Sequence, residues 1–440
     1  MRRAKFSARR RFPRRNWISV VAAFGCFRAG SPALAQTPAT TSTPDNSTAT
    51  GPVNVPPLAL TLGPLNLHPR VTAGVVADDN LLFTSSHQES DLIWSLQPGL
   101  QAVAGDDAAL IAYRDQGGNT LGLTPGSLIV QPPENWTGKI FTLDYAPRFK
   151  FYDQYTTLNS IDEFATVNLL WPMNKLILGF RQDYQLEKAT IIEANQFAST
   201  ETIPTTLSAA YQFGDKTSME SDFRRISVNY DHPGLIGYTE YNTEDWLNYD
   251  LTESMPVSVG VVAGYDAVAA SHQDQTYEQL RARVRYNFTE KLVFDASVGG
   301  EVRQYENGES DSFNPVFTLS GSYRPTERTT VSLTGYRQQN ASILNGYNYT
   351  STGANLGVSQ GITDRFTADV SAGYYILDFQ SINNARANYS ENYYTAHFGL
   401  QAKIVRHLTS QIYYDLTGIQ RSVGGDINDN KIGVNVTLSY

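Results

Sequence analysis

Cysteine is almost absent. Cys26 is the only one in 440 residues, and it falls in a segment that reads as a removed leader, so no disulfide framework is expected in the mature chain. There is no run of 18 apolar residues, and mean hydropathy is −0.33, which excludes a helical membrane protein. A transmembrane β-barrel passes the same test, because its strands give only one face to lipid and average out as hydrophilic. The six histidines are scattered, at 68, 87, 232, 272, 397 and 407. They show no Ser/His, Asp/His or metal-ligand spacing, so no catalytic residue, metal or other cofactor is expected. His397, beside Thr395 and Gly399, reads as a polar wall residue.

What is present points to strands. Gly 33, Tyr 26 and Phe 20 stand against Met 4, a composition rich in turn formers and β-favouring aromatics. Residues 1–35 have a basic opening (Arg2 to Arg15), an apolar core (Trp17 to Phe27) and the small-residue site Ala33-Leu34-Ala35. They read as a secretory signal peptide. Residues 36–64, rich in Thr, Pro, Ser and Ala, read as a disordered periplasmic lead-in. The leader holds nine basic and no acidic residues, so 34 less nine leaves 25 basic against 43 acidic, a mature charge of −18. Such a surface excludes nucleic acid as a partner.

From residue 65 to 440, eighteen extended segments follow one another, beginning with 67–76, 91–104, 139–152, 161–171, 174–187 and 203–213 and ending with 364–378, 391–403, 406–419 and 430–440. In 364–378, Phe366, Ala368, Val370, Ala372, Tyr374 and Ile376 oppose Thr367, Asp369, Ser371, Gly373 and Tyr375. In 431–440, Ile432, Val434, Val436, Leu438 and Tyr440 oppose Lys431, Gly433, Asn435, Thr437 and Ser439, a pattern similar to the C-terminal signal of outer-membrane barrels. Tight connections, such as Pro172-Met173, Pro325-Thr326 and Ile404-Val405, alternate with longer polar ones, of which 77–90 and 188–202 are the longest. That is the layout of short periplasmic turns and longer extracellular loops. Trp171, Phe213, Phe288, Tyr323 and Tyr440 each end a strand on its apolar face beside a tight turn or the chain terminus, as a periplasmic aromatic girdle would. The stretch 105–138 breaks the rule and reads as a periplasmic excursion, a plug or an extra hairpin. The fold expected is therefore all-β: a transmembrane antiparallel barrel of about eighteen strands, with 16 or 20 as the alternatives.

The first two strands carry more than alternation. Leu67-His68-Pro69-Arg70, Val71 to Val76, Asp78-Asp79-Asn80-Leu81-Leu82, Ser90-Asp91-Leu92-Ile93 and Gln97-Pro98-Gly99-Leu100 together resemble the opening of the beta-barrel porin 2 family, outer-membrane barrels often associated with exopolysaccharide systems. The motif covers residues 65–102. The resemblance implies a porin-like role in the outer membrane of a Gram-negative bacterium and names no catalytic residue.

Candidate lumen-lining residues are the inward ladder Arg281, Arg283 and Arg285 with Arg148, Lys150 and Arg181, set against Glu220, Asp222, Glu244 and Asp250, with Asp295 and Glu301 on the next strand. A three-residue turn, Thr289 to Lys291, would bring Arg285 opposite Asp295. Two readings of the charges stand side by side: a positive stripe and a negative one with a transverse field between them, or a network of ion pairs that rigidifies or closes the lumen. Asp78-Asp79-Asn80 and Asp426 to Asn430 read as acidic solvated loops, since neither has the spacing of a calcium loop. The function expected is passive diffusion of small hydrophilic solutes, with export or attachment of an exopolysaccharide as the alternative. Expected partners are outer-membrane lipid and lipopolysaccharide, the barrel assembly machinery through residues 431–440 and, on the alternative reading, a polysaccharide.

Overall fold

Strict alternation forces a choice of faces, and the chain resolves it by closing one sheet on itself. The structure, a computed structural model, describes residues 60–105, 138–252, 254–270, 273–289, 291–306, 312–382, 387–422 and 425–439. The segment expected to be a signal peptide, most of the expected lead-in, Tyr440 and nearly all of 105–138 lie outside the described residues.

The strands are β1 (Leu60–Leu62), β2 (Leu65–Asp78), β3 (Asp91–Gly105), β4 (Ile140–Tyr145), β5 (Arg148–Tyr152), β6 (Ser160–Pro172), β7 (Leu176–Ile191), β8 (Gln196–Gln212), β9 (Thr217–Tyr230) and β10 (Tyr238–Thr252). They continue with β11 (Met255–Val268), β12 (Gln275–Thr289), β13 (Leu292–Tyr305), β14 (Ser312–Thr326), β15 (Thr329–Ala341), β16 (Tyr347–Gly361), β17 (Phe366–Ser381), β18 (Tyr389–Val405), β19 (Leu408–Arg421) and β20 (Ile427–Ser439). Each barrel strand pairs antiparallel with the next, and β2 pairs with β20 from Arg70↔Ser439 to Asp78↔Lys431, which closes the ring. β4 and β5 both lie between β3 and β6. They are one strand interrupted at Ala146-Pro147, where proline has no N–H for the ladder. β1 only folds back on β2, so the closed barrel has eighteen strands.

All eighteen expected segments are strands, with shifted ends. The lead-in expected to run to 64 ends earlier, in the β1–β2 hairpin. The turn expected at Pro325-Thr326 falls after Thr326, and the one at Ile404-Val405 falls after Val405. The long loop expected over 188–202 is largely strand, because β7 and β8 stay paired up to Ile191↔Gln196. Arg285 does face Asp295, but Thr289 pairs with Leu292 and a bulge between Asn287 and Thr289 takes up the odd residue.

The two faces are inverted relative to a soluble protein. Leu280, Val298 and Phe313 are 63%, 61% and 72% exposed on the outside, whereas Arg303 and Glu301 inside are 2% and 1% exposed. An apolar exterior on a ring with no free strand edge is the solution that lipid imposes, since no backbone group is left unpaired in hydrocarbon. Trp171, Phe213, Phe288 and Tyr323 are exposed near the short turns. Several glycines lie under tyrosines of the next strand: a Cβ on Gly433 would stand 2.2 Å from the Tyr413 ring, and Gly264 and Gly353 sit likewise against Tyr277 and Tyr375. The glycine in the C-terminal pattern is thus room for an aromatic ring.

Candidate functional site

Inward side chains come from every second residue, so the lumen is a cylinder of polar groups whose long arginines reach neighbouring strands. Nearest the short turns, Arg70 pairs with Asp144 at 2.7 Å, Arg181 with Asp183 at 2.6 Å and Arg285 with Asp295 at 2.9 Å. These side chains keep between 21% and 33% of their exposure, so they line a vestibule that water reaches.

Toward the other end the pairs dry out. Arg283 donates to Glu220 at 2.7 Å and to Asn248 Oδ1 at 2.9 Å, its guanidinium stacked 4.3 Å over Trp246. Arg148 bridges Asp162 and Glu187 at 3.0 and 2.6 Å, and Lys150 joins Asp162 at 2.9 Å. Arg303 donates to Glu301, Asp266, Gln275 Oε1 and the Gln339 carbonyl at 2.7, 2.9, 3.0 and 3.2 Å. Exposure in the Arg283 and Arg303 pairs is 1% to 9%.

The expected lumen residues thus face inward, but the two stripes are not separate walls. Strand curvature places Glu220 within reach of Arg283 across Trp246, and the charges neutralise each other as a network. Asp222 takes the Ser208 hydroxyl and Glu244 the Trp246 indole N–H, while Arg281 is buried and Asp250 half-buried. A cavity of about 110 Å³ remains beside Arg224, Glu240, Asp266 and Arg281, and one of about 140 Å³ beside Asp78, Arg148, Glu187 and Lys431.

The end with the longer connections, the extracellular end by turn length, is covered. Phe83 from the loop 79–90 and Ile192 from the turn 192–195 pack with Tyr349, Leu377, Phe379, Tyr393, Ile419 and Ile427, all buried. Phe83 holds φ at +50°, a left-handed conformation that a bulky residue adopts only when its surroundings compel it. Ser342, in the turn after β15, donates to Glu193 from a nearly opposite point of the ring. The same turn receives the Ile236 N–H at the Ile343 carbonyl, 3.0 Å, and Arg421 donates to the Ile192 carbonyl at 3.0 Å. Modest as it is, the first loop does enter the mouth.

The two acidic stretches expected to be solvated meet here. Lys431 sits between Asp78 and Asp429 at 3.0 and 3.2 Å, so an ammonium already occupies the place a cation would take. No group of His, Cys, Asp and Glu suited to a metal occurs among the described residues. Ser371, His397 and Asp415 lie in register on three adjacent strands, and His397 Nδ1 meets Asp415 at 2.5 Å. Nε2, however, points at Gly399, and no hydrogen bond links it to Ser371. The three therefore do not make a nucleophile–base pair.

Arg303, Asp266 and the mouth cluster were missed from sequence. The available signal was a change of phase: Leu377 and Phe379 are apolar on the face that is polar at Thr367, Asp369 and Ser371.

Solved structures share the barrel architecture at low identity. OpdQ of Pseudomonas aeruginosa is 9% identical over 86% of this chain and 100% of its own, with a TM-score of 0.45. OccAB4 of Acinetobacter baumannii is 11% identical over 86% and 98%, at 0.44. The siderophore receptor PirA from Pseudomonas aeruginosa is 10% identical over 85% and 80%, at 0.41. No family model and no curated relative matches the chain, so the likeness of residues 65–102 to the beta-barrel porin 2 family remains a resemblance.

Proposed function

We propose that the protein is an outer-membrane, porin-like channel for passive diffusion of small hydrophilic solutes, at rest with its extracellular mouth closed. The observation that carries this is the gradient along the lumen, from a wet vestibule of paired charges to a mouth covered, among the described residues, by one loop and two turns. Strand-built walls hold the charges in place, while the cover hangs on a few side-chain contacts, an arrangement suited to intermittent opening. The reading assigns no catalytic step. Nothing among the described residues favours the polysaccharide alternative, and the resemblance of residues 65–102 supports a porin without defining its solute.

The test is conductance across a planar bilayer with residues 36–440 refolded in detergent. The parent should show brief, infrequent steps. Phe83→Ser combined with Ile343→Ser should raise the open fraction at least tenfold, with steps that scale with salt. If the folded double variant stays silent, the channel reading is wrong.

A further inference from the structure

On the outer face of β10, Tyr241, Leu247, Tyr249 and Leu251 are exposed to the membrane, while Glu244 and Trp246 are buried inside. Asp245 has the outward parity. It stands four residues from Tyr241 and four from Tyr249, in the middle of the apolar band, beside Val261, which is 52% exposed. It accepts a hydrogen bond from Ser221 on β9 and pairs with no cation among the described residues. A carboxylate facing hydrocarbon at mid-depth is costly and calls for a partner.

Asp245 is not alone on this sector. Gln182 on β7, Thr205 on β8 and Ser221 and Arg225 on β9 share the outward parity, with Gln182↔Thr205 and Ser221↔Asp245 in register and Arg225 held over the Tyr241 ring at 6.0 Å. At comparable depth the far wall presents Leu356, Val370, Phe398, Ile412, Val434 and Leu96, all exposed and apolar.

The register fixes how these groups are disposed. One row of partners runs Trp171, Leu178, Ala209, Ser221, Asp245, Val261, Leu280, Gly300 and Pro315. It starts at the short-turn end and finishes near the mouth, so rows climb toward higher strand numbers. The row through Gln182 passes Thr205 and Arg225 to Tyr241. With strands about 4.8 Å apart and tilted by about 40°, three steps lift it by roughly 9 Å. Asp245 lies four residues below Tyr241, and at about 3.3 Å per residue on the same tilt that descent is roughly 10 Å. Gln182 and Asp245 are therefore at the same depth, three strands apart, with the exposed apolar pair Leu207↔Phe223 between them.

We infer that this face binds a second copy of the chain about a two-fold axis along the membrane normal. An axis through Leu207 and Phe223 keeps depth and exchanges left for right. It sets Asp245 of each protomer opposite Gln182 of the other, with the apolar pair at the centre; the Gln182 Nε2, which within the protomer donates to the Asp183 and Pro204 carbonyls at 2.8 and 3.1 Å, turns its longer bond to the carboxylate, and the arrangement has the self-complementarity that an isologous interface requires.

The test exploits the scarcity of cysteine. In a Cys26→Ser background expressed in an outer membrane, Leu207→Cys should form disulfide-linked dimers under mild oxidation, and Val370→Cys on the far wall should not. Adding Asp245→Leu to Leu207→Cys should cut the dimer at least tenfold, while heat-modifiable mobility on gels shows the barrel still folded. Absence of the Leu207→Cys dimer, equal cross-linking at both positions, or cross-linking to a different protein would each overturn the inference. So would an Asp245→Leu barrel that dimerises undiminished.

Discussion

Arg303 offers the sharpest check on whether the upper lumen is closed. Its guanidinium makes four hydrogen bonds and lies 4.5 Å over the Tyr277 ring, at 2% exposure, with Glu301 and Asp266 at 1% and 4%. Arg303→Met fills much of the same space but leaves two carboxylates without their cation. Breaking a buried pair in this way costs about 3–5 kcal/mol, whereas a water-exposed pair is worth about 0–1 kcal/mol. At a urea slope of about 3 kcal/mol per molar, the larger figure moves the unfolding midpoint down by about 1 M or more. The assay is urea unfolding of the refolded barrel in micelles, followed by tryptophan fluorescence. A companion variant, Arg303→Met with Asp266→Asn and Glu301→Gln, removes the stranded charges and should recover most of the loss. A shift within about 0.3 M for Arg303→Met would place the network in bulk water, and the closed-mouth account would fail with it.

Three other outcomes follow from the same geometry. Burial pushes Glu193 up to about 8 from its ordinary 4.5, aided by Glu391 and opposed by hydrogen bonds from Ser342 and the Ile343 N–H. Arg421, the nearby cation, is paired with Glu391 at 2.9 Å. An acid whose value is raised in the closed state favours that state while protonated. Closure should hold best below about pH 4.5, weaken as pH rises and be least favoured above about 8; open probability against extracellular pH checks this, and Glu193→Gln should flatten the curve. Gly433→Val drives a side chain into the Tyr413 ring and should cost about 1–3 kcal/mol by overpacking, read as a lower temperature of heat modification. Arg285→Glu places a second negative charge beside Asp295 in the vestibule and should raise the preference for cations in reversal-potential measurements.

The ring itself was legible because lipid imposes one rule on every strand, and alternation with the turn rhythm records it. Ends were less legible. Above the lipid both faces of β7 and β8 are polar, so 188–202 lost its alternation while keeping its ladder. The expected lumen residues rested on parity alone, and which charge meets which depends on curvature and on arginine reach, neither of which is written along a strand. The mouth was hidden because Phe83, Ile192 and Ile343 are single apolar residues in polar stretches whose partners lie across the ring. Asp245 was readable as the one acid in the apolar phase of 238–251, yet it stands between the lumenal Glu244 and Asp250, whose charge drew attention inward.

The seam between β2 and β20 has a consequence for the order of assembly. Its register joins residues 70–78 to 431–439, the most sequence-distant pairings among the described strands, and Asp78 forms an ion pair with Lys431 across it. Until the last barrel strand is in place, β2 and whichever strand leads the growing sheet are both bare edges. Loop-closure entropy for the full span is also still owed. Every intermediate is therefore an open ribbon exposed to mispairing with other chains. The final strand acts as the latch that turns a sticky sheet into an inert cylinder, and its defects should appear as aggregation during biogenesis before they appear as lost permeability.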